Sequence, residues 1–245
     1  MKDTLKTDPP FDWHANPEAL TVLPVAVEDA ELTRMPPGRA VMKLALPAIG
    51  SMLLIMIFNL VDAWWVSKLG AEPFAGVSAA SFLFWALQSM SLIISEGVNA
   101  LVARFVGAKE NNLAGRVVGQ ALILAVVIAL MNTVFGLWIV HGVFIRMGLT
   151  GVVLDSAVQY MSYTLYGLVI IFLAYTVDAA FRGMGDTRTP FKLIGAGLLL
   201  NMILDPLFIF GIGPFPRMEA AGAALATVIA HVFVLVAGII AIQGR

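Results

Sequence analysis

The 245-residue sequence has no cysteine, only three histidines and four tyrosines, and few charges, with 13% Asp, Glu, Lys and Arg together. Each scarcity removes a class of function. Without cysteine there is no disulfide framework and no thiolate metal or redox chemistry. Three scattered histidines make no metal-ligand pattern, and neither a glycine-rich phosphate loop nor a nucleophile elbow occurs. No nucleophile–base constellation is present either, so the chain is expected not to be an enzyme and to carry no cofactor. A formal net charge of −1 leaves no electrostatic footprint for nucleic acid. What remains is apolar: 60% of residues are hydrophobic and the mean hydropathy is +0.90, the composition of a membrane protein.

Two regions differ in character. Residues 1–40 hold seven of the 16 acidic residues and six of the 12 prolines. They contain no run long enough to span, and no compact hydrophobic segment follows a basic start, so they are not a signal peptide. They read as a cytoplasmic, largely irregular tail, in which Pro24 argues against a short amphipathic helix at 18–27. Residues 41–245 contain six apolar segments, each sufficient for a crossing of about 20 residues: 41–66, 76–106, 117–140, 158–181, 190–212 and 220–242. The second is long enough to require a tilt or a kink. The expected fold is all-α, a polytopic six-helix transmembrane bundle. With the N-terminus inside, twelve Lys and Arg residues fall on inner segments and only Lys68, Arg146 and Arg217 on outer loops. That bias places both termini in the cytoplasm and the chain in the cell membrane. Small residues at Gly115 and Gly119, at Gly195 and Gly197, and throughout 220–224 suit close helix packing.

The fifth segment organises the rest. Its apolar run, 198–210, is interrupted by Asn201, Asp205 and Pro206. Asn201 and Asp205 are four apart and share a helix face, and Pro206 deprives the carbonyl one turn earlier of its donor. An intramembrane carboxylate needs a partner, a proton, water or an ion. Counting about 1.5 Å per residue from the outer boundary places Asp62 of the first segment, Asn201, Asp205 and Thr227 of the sixth at similar depth in the outer half of the bundle. Two adjacent carboxylates in a low dielectric do not both stay ionised without a cation, so these four residues are expected to hold a proton or a sodium ion. Asp205 and Asp62 otherwise serve as hydrogen-bonding glue between helices, and Thr227 otherwise bonds its own backbone.

Asp178 lies about two turns closer to the cytoplasm and has two readings: an inward proton relay, or a partner for Arg182 four residues on. Glu96 either lines the cavity or pairs with Arg104 or Lys109. His231, one turn after Thr227, reads as a packing residue near the site, and Trp64 and Trp65 as interface anchors.

Several of these residues occur in recognisable motifs. Leu46-Pro47 followed by Asn59-Leu-Val-Asp62-Ala-Trp-Trp-Val-Ser-Lys-Leu-Gly70 resembles the first helix of the multidrug and toxic compound extrusion (MATE) family. Ala103-Arg-Phe-Val-Gly-Ala108 resembles the inner end of its second helix, and Phe181-Arg-Gly-Met-Gly-Asp-Thr-Arg-Thr-Pro190 the loop between its fourth and fifth. Asn201-Met-Ile-Leu-Asp-Pro206 is similar to the fifth helix of the DinF-like branch. The resemblance runs from about residue 40 to the end. It implies a secondary antiporter that exports organic, often cationic compounds against Na+ or H+, built as two six-helix lobes around a central cleft. It also implies a cation site in the N-terminal lobe on Asp62, Asn201, Asp205 and Thr227, with Tyr160 as the fourth-helix tyrosine ahead of Tyr163 and Tyr166. Two departures are visible. Asp178 stands where the family usually has asparagine, and only one lobe is present.

The leading expectation is therefore the N-terminal lobe of such an antiporter, either a fragment or a half-size protein that pairs with itself or with a separate second lobe. One rival is a lipid-linked precursor flippase of the same superfamily, disfavoured because no arginine or lysine lies mid-span. Another is a non-transporting lobe that binds and regulates a full transporter.

Overall fold

The structure, a computed structural model, describes residues 36–243, so the tail reading for 1–40 and the helix considered at 18–27 fall almost wholly outside the described residues. Seven α-helices and no strand occur among the described residues: α1 (Pro37–Ser67), α2 (Ala71–Gly107), α3 (Asn111–Arg146), α4 (Gly151–Tyr166), α5 (Leu168–Gly183), α6 (Arg188–Phe210) and α7 (Ala220–Gln243). Five of them are long and apolar enough to cross a membrane, and α4 with α5 makes a sixth crossing if the pair counts as one bent span.

That pair is the main correction to the sequence reading, which expected one uninterrupted helix over 158–181. The chain bends by 56° between α4 and α5. The break sits at Gly167, whose N–H bonds the carbonyls of both Tyr163 and Thr164. A side chain is excluded there, because the Val228 side chain of α7 occupies the space a Cβ would need. No proline marks the bend, and the surrounding sequence stays apolar, so hydropathy alone does not show it. The second segment, expected to tilt or kink, is one continuous 37-residue helix. The third extends beyond 117–140 at both ends.

The core lies among α2, α3, α4 and α5, where Phe144, Phe172, Phe181, Met161 and Leu165 are fully buried. Close approach at the helix crossings depends on small residues. Gly76 of α2 sits against the backbone of Ala157 on α4, and Gly222 of α7 against the backbone of Phe208 and Ile209 on α6. Helix α6 begins where Asp186 caps it, its Oδ1 accepting from the N–H groups of Arg188 and Thr189 at 2.9 and 3.0 Å. It continues through Pro206 and stops at Gly211, a left-handed residue with φ +71°. The chain then folds back, with the Met218 and Glu219 amides bonded to the Phe208 and Ile209 carbonyls. Helix α1 packs chiefly on α6 and remains apolar and exposed along most of its length. The outer face of α3, from Ile123 to Trp138, is likewise exposed and apolar, as a lipid-facing surface requires.

Candidate functional site

Helix α6 supplies the centre of the site. Asn201 and Asp205 lie on one face, at 1% and 0% exposure. The Asn201 amide donates from Nδ2 to Asp205 Oδ1 at 3.3 Å and, more weakly, to Thr227 Oγ1 of α7 at 3.5 Å. The Thr227 hydroxyl hydrogen is committed to the Ala223 carbonyl at 3.0 Å, which leaves its lone pairs facing Asn201. Asp62 of α1 lies close enough to Asp205 for the two carboxylates to interact, and Tyr160 of α4 faces both. Four helices thus converge on one point.

The hydrogen-bond inventory is one-sided. Asn201 Oδ1, Asp205 Oδ2 and Asp62 Oδ1 are buried acceptors with no donor among the described residues. Nearby donors are committed or do not reach: Asn201 Nδ2 and the Thr227 hydroxyl are used, the Ser81 hydroxyl facing Tyr160 is bonded to the Val77 carbonyl at 2.9 Å, and neither the Tyr160 hydroxyl nor the Trp65 indole N–H bonds any of the three acceptors. A buried unpaired acceptor costs about 1–3 kcal/mol, more when it is charged. Three of them around two carboxylates form an oxygen cage whose chemistry calls for a cation or a proton.

A second polar group lies nearer the α2–α3 hairpin. Arg182 of α5 bonds Asp178 at 2.6 Å and reaches Glu96 of α2 at 3.7 Å. Asp178 is therefore ion-paired, as one of its two readings proposed. Glu96 pairs with Arg182 and not with Arg104 or Lys109, because the close packing of Gly183 on Asn99 and Val102 brings the end of α5 alongside this turn of α2. The two groups are linked by His231 and Tyr175. The His231 Nδ1 donates to the Thr227 carbonyl at 2.8 Å, and its ring lies 6.0 Å from that of Tyr175, which in turn faces Asp178 and Arg182. Replacing Arg182 by Gln leaves Asp178 without its partner. The half-exposed guanidinium discounts the loss to about 1–2 kcal/mol, read as a lower midpoint in detergent-induced unfolding, and Asp178→Asn in the same chain is expected to recover most of it.

Sequence reasoning missed Ser81 and Asn99, which stand at the two ends of this polar system. Both lie on α2, and the signal available was their spacing relative to Gln88 and Ser95. Trp65 faces inward beside Asp62, with its indole N–H buried and unpartnered and its ring 6.1 Å from Phe210. Trp64, by contrast, is exposed, with the Lys68 ammonium 4.8 Å from its ring centre.

Comparison with known proteins gives concordant matches. The MatE family model matches residues 47–207. The chain is 31% identical over 196 residues to a protein of Shewanella oneidensis named "FAD transporter", covering 80% of this chain and 43% of that protein. It is 30% identical over 195 residues to the "Probable multidrug resistance protein NorM" of Thermotoga maritima, covering 79% and 42%. Among solved structures, a MOP superfamily transporter from Pyrococcus furiosus superposes with a TM-score of 0.79 at 28% identity, over 86% of this chain and 46% of that one. The chain thus spans less than half the length of the relatives it matches.

Proposed function

Because the chain belongs to the MATE family, a family of multi-pass membrane transporters, we propose that it is the ion-coupling lobe of a secondary antiporter that exports organic, often cationic compounds in exchange for Na+ or H+. The observation that carries this reading is the cluster of three buried acceptors, on Asp62, Asn201 and Asp205, that receive no hydrogen bond from the described residues. A structural hydrogen-bond network would pair its acceptors with donors, whereas a coupling site must be able to take up and give back positive charge.

In this reading, a cation reaching the cage neutralises Asp62 and Asp205 and draws α1 and α6 together. Helix α1 is the element free to respond, since it packs mainly on α6 and carries Pro47 in its first half. Coupling then requires that ion and substrate stabilise different arrangements of the lobe. The second wall of the cleft comes from a second lobe, supplied by a homodimer mate, a separate chain or the C-terminal half of a longer protein, and the exposed apolar length of α1 (Met52 is 71% and Leu60 70% exposed) is the surface it would cover. By the distribution of Lys and Arg, both ends of the chain face the cytoplasm of a plasma membrane.

The same exposed surface favours a second reading, a non-transporting lobe that binds another transporter. Export of a fluorescent organic cation from vesicles containing this chain, under opposing Na+ and H+ gradients in turn, separates the two. Export that follows one gradient is the expected result, and that gradient names the ion. Absence of export from folded protein under both gradients, with a second lobe co-reconstituted, would leave the binding role as the answer.

A further inference from the structure

A serine within an apolar helix ordinarily returns its hydroxyl to a carbonyl about one turn back. On α2, Ser78, Ser81 and Ser89 do so, bonding Phe74, Val77 and Ala86 at 2.8, 2.9 and 2.6 Å. Ser91 and Ser95 do not, although they are the most buried serines of the helix, at 1% and 0% exposure. Among the described residues neither hydroxyl has a hydrogen-bond partner, and neither does the amide nitrogen or oxygen of Gln88, itself buried. Buried polar atoms in a folded protein are satisfied by protein or by water, and here the helix's own backbone, within reach of each serine, has not been used.

These residues form a row. Ser81, Gln88 and Ser95 are spaced by seven, a step that drifts only about 20° around a helix, Ser91 lies between the last two, and Asn99 follows one turn later on the same face. From Ser81 to Asn99 the row runs about 27 Å at about 1.5 Å per residue. Its two ends are the two polar centres of the lobe. Ser81 meets Tyr160, which faces Asp62 and Asp205. Asn99 donates to Glu96 at 3.5 Å, beside Arg182.

We propose that this row is a water-lined path along which the small coupling cation passes between the Asp62/Asp205 cage and the side of the membrane bearing the α2–α3 hairpin. The proposal rests on the antiporter reading and adds the route. An ion leaving an oxygen cage needs successive oxygens to stand in for its hydration shell, and the Gln88 amide and the Ser91 and Ser95 hydroxyls, uncommitted to backbone, supply them together with water.

The absence of cysteine from the chain makes the test direct. Maleimides and methanethiosulfonates react with thiolate, which forms only where water reaches. Single variants Gln88→Cys, Ser91→Cys and Ser95→Cys, in proteoliposomes of the full chain, are compared with Ile94→Cys, a position off the row that is as buried as Gln88 and slightly less buried than the two serines. Alkylation by N-ethylmaleimide is expected to be at least tenfold faster at the three row positions. A membrane-impermeant methanethiosulfonate added on the hairpin side is expected to react in the order Ser95→Cys, Ser91→Cys, Gln88→Cys. Rates equal to that of Ile94→Cys, or access solely from the opposite side, overturn the path. The serine variants are nearly isosteric and decide the outcome if Gln88→Cys fails to fold. Because labelling needs no gradient or substrate, a dry row in a lobe that exports rejects the path alone, whereas a wet row without export, even with a second lobe co-reconstituted, rejects the antiporter reading.

Discussion

Asp205→Asn is expected to reduce gradient-driven export by at least 100-fold, about 2.7 kcal/mol, while leaving the lobe folded. The substitution keeps the size of the side chain and changes two things. It removes the negative charge, and it replaces an acceptor oxygen by an NH2 group. Asp205 is fully buried, one of its oxygens accepts from Asn201, and the other has no donor. The new amide therefore inserts a donor into the cage where the ion would bind and removes one of the two charges that hold it. At the short range and low dielectric of a membrane interior both changes act strongly. The effect on stability runs the other way. A carboxylate placed centrally in a membrane helix costs about 2.5–3.5 kcal/mol on insertion scales, and a neutral amide costs less, so the apo lobe is expected to resist detergent unfolding at least as well as the parent. Asp62→Asn should follow the same direction with a smaller loss, since Asp62 is only partly buried and lies on the loosely packed α1. The measurement is export of a fluorescent cation under the effective gradient, beside unfolding of the same samples. Export unchanged in Asp205→Asn would mean that coupling resides elsewhere.

The grouping of Asp62, Asn201, Asp205 and Thr227 was legible in the sequence because it depends on two robust quantities. One is helical periodicity, which puts residues 201 and 205 on a common face. The other is the fixed rise per residue, which converts distance from a predicted helix end into depth. The structure brings Asn201, Asp205 and Thr227 into hydrogen-bonding range and sets Asp62 beside them. What was not legible depends on contacts between helices. The bend at Gly167 lies against Val228, 61 residues away, which leaves no room for a side chain there, and nothing in the local sequence distinguishes this glycine from those inside continuous helices. The partner of Glu96 depends on how α5 meets α2, which periodicity on either helix does not specify. The unbonded state of Ser91 and Ser95 is also invisible locally, because Ser78, Ser81 and Ser89 on the same helix have the same local options and use them.

The same chemical change at two glycines is expected to have opposite effects. Gly222→Ala should destabilise the lobe by about 3 kcal/mol, and Gly142→Ala should stabilise it by about 0.5–1 kcal/mol. Both glycines lie inside helices, so both substitutions gain the same backbone entropy term favouring alanine. They differ in what the added methyl meets. At Gly222 it would lie 2.6 Å from the carbonyl carbon and oxygen of Phe208 and 2.8 Å from the Ile209 nitrogen, all backbone atoms of α6. Backbone within a helix cannot rotate away as a side chain can, so α6 and α7 must separate as units. These are the helices that carry Asn201, Asp205 and Thr227, and the 3.5 Å contact between Asn201 and Thr227 is already at the limit of a hydrogen bond. Separation would break it, so Gly222→Ala is expected to weaken export as well as stability. At Gly142, on the exposed side of α3, nothing lies within 4 Å of the added methyl, and only the propensity gain remains. Unfolding of both variants in detergent, measured by circular dichroism, gives the comparison. Equal effects at the two positions would show that the tight α6–α7 crossing is not what holds the cage together.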